Sequence, residues 1–114
     1  MSAEPNVAVH FKDLEHDDLL RDHVRTRCEH LAAEFPEATH FELTIEPGVN
    51  SFDAHGHVSG KRTRAAAHAA GAERPRQAAD AVLDKLEREL RKEHDKRIFT
   101  QRRKAQKAST KRGD

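Results

Sequence analysis

Residues 79–92 read ADAVLDKLERELRK, and the apolar side chains in this stretch have helical spacing. They recur at steps of three, one, three and four residues, which places them on one face of an α-helix. These residues are Ala79, Val82, Leu83, Leu86 and Leu90. Gly71 and Pro75 bracket the entry to this pattern. We predict a helix over about residues 75–96, and its apolar face requires a partner surface.

A second amphipathic helix is predicted nearer the N-terminus. Its apolar residues recur at steps of four, four, three and four, and they are Leu20, Val24, Cys28, Leu31 and Phe35. Asp17 is the expected N-cap, with Asp13 as the alternative. Pro36 cannot continue a helix. The helix is therefore expected over about residues 17–35.

Four segments alternate between apolar and polar residues, which is typical of half-buried strands. They are residues 6–12, 40–46, 52–59 and 62–70. The turns Pro47–Asn50 and Ser59–Lys61 separate the last three segments. Alanine is a poor strand former, so the alanine-rich fourth segment is predicted from its alternation alone.

The order β-α-β-β-β-α predicts an α+β fold. A right-handed crossover through the first helix makes the first two strands parallel. Short turns make the second, third and fourth strands antiparallel neighbours. Each strand has one apolar face, so we expect a four-stranded mixed sheet with both helices packed on the same face. The predicted division is a domain over residues 1–97 and a basic flexible tail over residues 98–114.

The composition limits the class of protein. Hydrophobic residues are 35% and aromatic residues 4% of the 114 residues, so few large side chains remain to enclose a cofactor. The single cysteine excludes an internal disulfide. No segment has the roughly 20 apolar residues of a membrane span, and the N-terminus lacks a secretory pattern. We expect a cytoplasmic protein without a membrane segment or a cofactor.

The charge is distributed unevenly along the chain. Residues 1–90 contain 11 Lys and Arg against 17 Asp and Glu, whereas residues 91–114 contain 10 against 3. A negative globular part followed by a positive end favours a polyanionic partner.

A row of cations follows the second predicted helix. At 100° per residue, Lys85, Arg88, Lys92 and Lys96 lie within an arc of roughly 80°. Arg97 extends the row, and the predicted tail adds further basic residues, among them Arg102, Arg103 and Lys104. Such cations suit successive phosphates of a nucleic acid. The alternatives are a solvated helix face and a tail that serves solubility.

The histidines and the cysteine suggest other functions. On the first helix, His16, His23, Arg27 and His30 align beside the apolar stripe, as a weaker RNA-contact face or as ordinary surface residues. The open face of the sheet is expected to present five histidines, which are His10, His40, His55, His57 and His68. No ligand spacing here completes a known zinc site, so no metal site is predicted. Cys28 is expected to be buried and inert, and no catalytic motif is present.

The residues resemble a known family. Residues 81–92 resemble the second-helix signature of bacterial ribosome hibernation-promoting factors and ribosome-associated inhibitor proteins, and Leu20–Val24 resembles their first helix. The resemblance implies a non-enzymatic translation inhibitor that binds the small ribosomal subunit in the channel for mRNA and tRNA. The implied contact is the rRNA of that subunit, and its ribosomal proteins are additional candidate contacts. The stretch ends without the second, dimerising domain of long family members, so we expect a monomer when free.

The resemblance also implies which residues contact rRNA. In the second helix these are Lys85, Arg88, Arg91 and Lys92, extended by Lys96 and Arg97. In the first helix Arg21 and Arg27 match basic positions, and His30 stands where the family usually has Arg or Lys.

Two alternatives to this function come from the residues themselves. A sheet with two helices on one face also resembles double-stranded-RNA-binding domains, which implies a general structured-RNA-binding protein or RNA chaperone. The histidine-rich face suggests a metal-dependent hydrolase as the third hypothesis.

Overall fold

The order of helices and strands agrees with the predicted α+β fold. The structure is a computed structural model and describes the backbone of residues 4–113 and the side chains of residues 4–96. Its elements are β1 (Asn6–Phe11), α1 (Asp18–Glu34), β2 (Ala38–Gly48), β3 (Ser51–Gly60), β4 (Thr63–Ala72) and α2 (Pro75–Gly113). The strand ends differ from the predicted ends by a few residues, because ladder pairing continues into the flanking turns.

The sheet has the strand order β1-β2-β3-β4. As predicted, β1 is parallel to β2, and the β2–β3 and β3–β4 pairs are antiparallel. The alanine-rich segment does form the strand β4. Its inward residues Ala65 and Ala69 are buried against the rest of the core, which shows that burial and pairing with β3 outweigh the low strand propensity of alanine.

Both helices cover the same face of the sheet, and the core lies between the two layers. Leu43 and Ile45 of β2 and Leu83 and Leu86 of α2 have 0% of their surface exposed. Burial of each such side chain contributes about 1.5–3 kcal/mol of transfer free energy. Gly56 of β3 lies below α2, where an added Cβ would be 3.2 Å from Cδ1 of Leu86. This close approach fixes how α2 sits on the sheet.

The two ends of α1 follow from its sequence. The backbone N–H of Leu20 donates to Oδ1 of Asp17 at 3.1 Å, so Asp17 is the N-cap as predicted. At the other end, the N–H of Phe35 donates to the carbonyl oxygen of Leu31 at 2.7 Å, and Pro36 follows. The apolar stripe of α1 faces inward between these two ends, with Cys28 fully buried.

The helix α2 is longer than the predicted span of residues 75–96. The predicted boundary at residue 97 falls inside this helix, and the division into domain and tail remains a prediction. The side chains of Arg97, Arg102, Arg103 and Lys104 lie outside the described residues. Within the part of the chain that the structure describes, no helix combines the length and the apolar character needed to cross a membrane.

Replacement of Gly60 tests the packing at the end of β3. A Cβ at this position would lie 1.8 Å from the carbonyl oxygen of Glu37, which is backbone and cannot swing away. Gly60→Ala should therefore lower the free energy of unfolding by about 1–3 kcal/mol, as overpacking does. Urea unfolding followed by circular dichroism measures this change. Ser59→Ala is the control, and equal stability of the two variants would contradict the packing described here.

Candidate nucleic-acid interface

The cation row consists of Lys85, Arg88, Lys92 and Lys96, and all four side chains are exposed. Their spacing of three or four residues places neighbours about 5–6 Å apart and the ends of the row about 16 Å apart. Among the side chains of residues 4–96, no carboxylate lies within 4 Å of Arg88, Lys92 or Lys96. These three cations are therefore available to an anionic ligand.

Lys85 differs from the rest of the row because it contacts the sheet. Its Nζ donates to the carbonyl oxygen of His68 in β4 at 2.7 Å. The strand β4 is an edge of the sheet, and lysine is a residue that natural proteins use to protect edge strands. Lys85 thus ties α2 to the edge strand, and its charge stays near the row.

Two acids of α2, Asp80 and Asp84, contact side chains of α1. Nε2 of His23 lies 2.7 Å from Oδ1 of Asp80, and Arg27 donates to Asp80 at 3.3 Å and to Asp84 at 3.0 Å. Burial disfavours the charge of Arg27, but the hydrogen bonds to Asp84 and Asp80 outweigh it and raise the pKa of Arg27. The predicted contact residue Arg27 is therefore neutralised within the protein.

Arg91 is also paired, at the opposite end of the α1–α2 interface. Its guanidinium binds Glu34 of α1, lies 3.5 Å from Glu87, and is 5.9 Å from the centre of the Phe35 ring. The hydrogen bond to Glu34 is the main reason that the pKa of Arg91 is raised. One turn further on, Nδ1 of His94 lies 3.0 Å from Oε1 of Glu37. These contacts fix α2 against the end of α1.

Most of the residues predicted to contact RNA from α1, or from just before it, are paired with other side chains of the protein. Arg21 lies 3.5 Å from Asp18 and 3.8 Å from Asp22. His16 precedes the helix and contacts Asp18 at 2.7 Å, and His30 is exposed. Of the sequence-predicted residues on α1, only His30 has no ion pair or hydrogen bond with another side chain of residues 4–96.

The β3–β4 turn brings a cation that the sequence analysis did not assign to the site. The N–H of Lys61 donates to the carbonyl oxygen of Glu37 at 3.1 Å, and the carboxylate of Glu37 contacts His94 of α2. Exposed Lys61 therefore lies at the end of the domain where α2 carries Lys92, whereas Arg64 belongs to the open face of the sheet. The basic segment KRTR, residues 61–64, could have indicated this cation from the sequence. The sequence analysis interpreted the segment only as a turn and the start of a strand.

The open face of the sheet presents the five predicted histidines, and all are exposed. Within residues 4–96, no group of three or more His, Cys, Asp or Glu side chains has an arrangement that could hold a metal ion. The hydrolase hypothesis therefore has no ligand cluster in the described part of the chain.

Comparisons with known proteins agree with this fold. Residues 7–98 match the family model described as Sigma 54 modulation protein / S30EA ribosomal protein. A ribosomal subunit interface protein from Coxiella burnetii is 13% identical with a TM-score of 0.70, and the match covers 79% of this chain and 98% of that one. The N-terminal domain of Protein Y from Thermus thermophilus is 17% identical with a TM-score of 0.60 and the same coverage. The chain matches none of the curated proteins.

Replacement of Arg27 should destabilise the protein more than replacement of Arg88. Arg27→Gln removes the ion pairs with Asp80 and Asp84 and should lower the free energy of unfolding by about 1 kcal/mol. Arg88→Gln removes the same charge where no carboxylate among residues 4–96 lies nearby, so stability should stay within about 0.5 kcal/mol. Urea titrations of both variants make the comparison. Equal stabilities would contradict the assignment of Arg27 to the helix interface.

Cys28 should be chemically inert in the folded protein. Burial raises the pKa of its thiol to about 12, so the reactive thiolate is scarce at neutral pH. Iodoacetamide at about pH 8 should leave the native protein unmodified and alkylate it in concentrated guanidinium chloride, as mass spectrometry detects. Because unfolding restores an ordinary thiol, this group favours the folded state below pH 9.0, and the contribution is lost as pH rises toward about 12. Rapid alkylation of native protein would contradict this burial.

Proposed function

The chain belongs to the Sigma 54 modulation protein / S30EA ribosomal protein family, and from this we propose that it is a ribosome-binding inhibitor of translation. In this proposal the domain binds the rRNA of the small subunit in the channel that mRNA and tRNA use. Translation stops because the domain occupies that space. The action requires neither a catalytic step nor a cofactor.

The observation that carries the proposal is that Arg88, Lys92 and Lys96 are exposed and have no carboxylate within 4 Å among the side chains of residues 4–96. Cations without internal partners can neutralise phosphates, and each neutralised phosphate releases counterions. A row about 16 Å long suits several consecutive phosphates of one strand. Their position on a rigid helix, held by core packing below, keeps the row in a fixed geometry before binding.

The proposed contact residues fall into three groups. The cation row is the primary surface, together with the exposed His30. Arg21 pairs with Asp18 and Asp22 within α1. Arg27 and Arg91 pair across the two helices and contribute mainly by placing them. Arg97, Arg102, Arg103 and Lys104 extend the basic sequence beyond the described side chains and remain part of the proposal.

Charge reversal in the row tests the proposed function. Arg88→Glu combined with Lys92→Glu should reduce binding to small ribosomal subunits by at least about tenfold, because two phosphate contacts become repulsive. Cosedimentation with purified small subunits at low and physiological salt measures the loss. Binding of the wild-type protein should also weaken steeply as salt is added.

The control separates local contacts from net charge. Lys12→Glu combined with Arg74→Glu changes the net charge by the same amount, at exposed positions outside the cation row. This control should bind at about pH 7.5 much as the wild-type protein does. Equal losses in the two double variants would overturn the proposed surface.

A general structured-RNA-binding function remains the second candidate, because phosphate contacts by themselves carry no sequence information. Competition separates the two functions. An unrelated structured RNA in excess should leave the protein on the small subunit if the ribosomal channel is the target. Complete displacement at equal nucleotide concentration would favour the general RNA-binding function.

A further inference from the structure

The open face of the sheet, on the side opposite the helices, is rich in exposed histidine. Cross-strand registers place His10, Thr44, His55 and His68 in one line across all four strands. The rings of His55 and His68 are 6.3 Å apart between centroids. His57 lies on the same face two residues from this line along β3, and His40 lies four residues from it along β2. The five imidazoles thus share one face of the sheet.

Two glutamates lie between these histidines. The carboxylate of Glu42 is 3.9 Å from Nε2 of His10 and 3.2 Å from Nε2 of His57. The carboxylate of Glu46 is 3.4 Å from Nε2 of His55 and 3.7 Å from Nζ of Lys12. Protonation of the imidazoles would therefore turn these contacts into ion pairs and cancel the negative charge of the carboxylates.

The formal charge of this face depends on the histidines. Two cations, Lys12 and Arg64, stand against three acids, Glu42, Glu46 and Asp53, so the face carries −1 when the histidines are neutral. Five protonated imidazoles would bring it to +4. Histidine is the side chain whose charge ordinarily changes between pH 5 and 8.

The face also has groups that can bind a nucleotide. A depression of about 400 Å³ lies on it, and His40, Glu42, His57 and Ser59 are among its lining residues. The side-chain amide of Asn6 lies 3.2 Å from Nε2 of His40. Exposed histidine rings can stack on unpaired bases, and protonated rings can bind phosphates.

We propose that the open face of the sheet is a second RNA-binding surface, which binds single-stranded RNA when its histidines are protonated. The choice of RNA as the occupant rests on the proposed function and on the positive charge of the face when its histidines are protonated, which complements the phosphates of RNA. The surface is separate from the cation row, because the sheet lies between the two. At neutral pH the cation row acts alone, and mild acidification adds the sheet face.

The test uses the full-length variant with Arg88→Glu and Lys92→Glu, so that the cation row does not contribute. The probe is a fluorescein-labelled single-stranded RNA of about 20 nucleotides, followed by anisotropy in EDTA at constant ionic strength. Affinity should rise by about tenfold or more between about pH 7.5 and about pH 6. The slope of log affinity against log salt should steepen by about 0.7 for each added phosphate contact.

Two further variants in the same background identify the histidines responsible. His55→Gln combined with His68→Gln should remove most of the pH-dependent gain. His16→Gln combined with His23→Gln removes two histidines that also contact carboxylates, at 2.7 Å each, but lie outside the sheet face, so it should keep the gain. Circular dichroism at both pH values checks that each variant is folded.

Several outcomes would overturn the proposal. Affinity that is constant between the two pH values, or a gain that survives His55→Gln with His68→Gln, would exclude the sheet face. Dimerisation at acid pH without RNA binding, measured by light scattering, would make a second copy the occupant. The proposed function is tested separately by wild-type binding at neutral pH, so one proposal can fail while the other stands.

Discussion

The rotational setting of α2 on the sheet is the constraint on which the rest of the structure depends. Leu83, Leu86 and Leu90 are fully buried, and they fix which side of the helix faces the core. At 100° per residue, every other side of the helix is then fixed as well. Asp80 and Asp84 turn toward α1, and the cation row turns toward solvent. Burial of apolar surface thus determines the position of the charges.

The pairing between the two helices explains how an acidic domain can present a basic surface. Residues 1–90 contain more acidic than basic residues, but several acids are used inside the domain. Asp80 and Asp84 bind Arg27, Glu34 binds Arg91, and Glu37 contacts His94. Charges paired in this way contribute less field at the surface than Arg88, Lys92 and Lys96, which have no carboxylate within 4 Å among the side chains of residues 4–96. The positions of the charges therefore determine the surface that this protein offers to a charged partner, and its net charge of +1 does not.

The two layers of the domain differ in the side chains that they expose. The cation row on the helix layer consists of lysine and arginine, whereas the open face of the sheet is rich in histidine. Strand alternation separates the two chemistries, because it directs Phe41, Leu43 and Ile45 into the core and Glu42 and Thr44 to the opposite side. The same backbone pattern that builds the core therefore builds a polar surface behind it.

Local patterns in the chain were sufficient for both helices, all four strands, the Asp17 cap and the exposure of Arg88, Lys92 and Lys96. These features depend on periodicity and on neighbours within a few residues, which the order of amino acids contains directly. The parallel β1–β2 pair followed from the order of elements and the general handedness of crossovers. The roles of the other cations depended on tertiary packing. Lys85 meets a carbonyl 17 residues away, and Arg27 and Arg91 meet acids 53 to 57 residues away. Only the packed helices and sheet bring such partners within hydrogen-bond distance, so the separation of free cations from paired ones was decided by the fold.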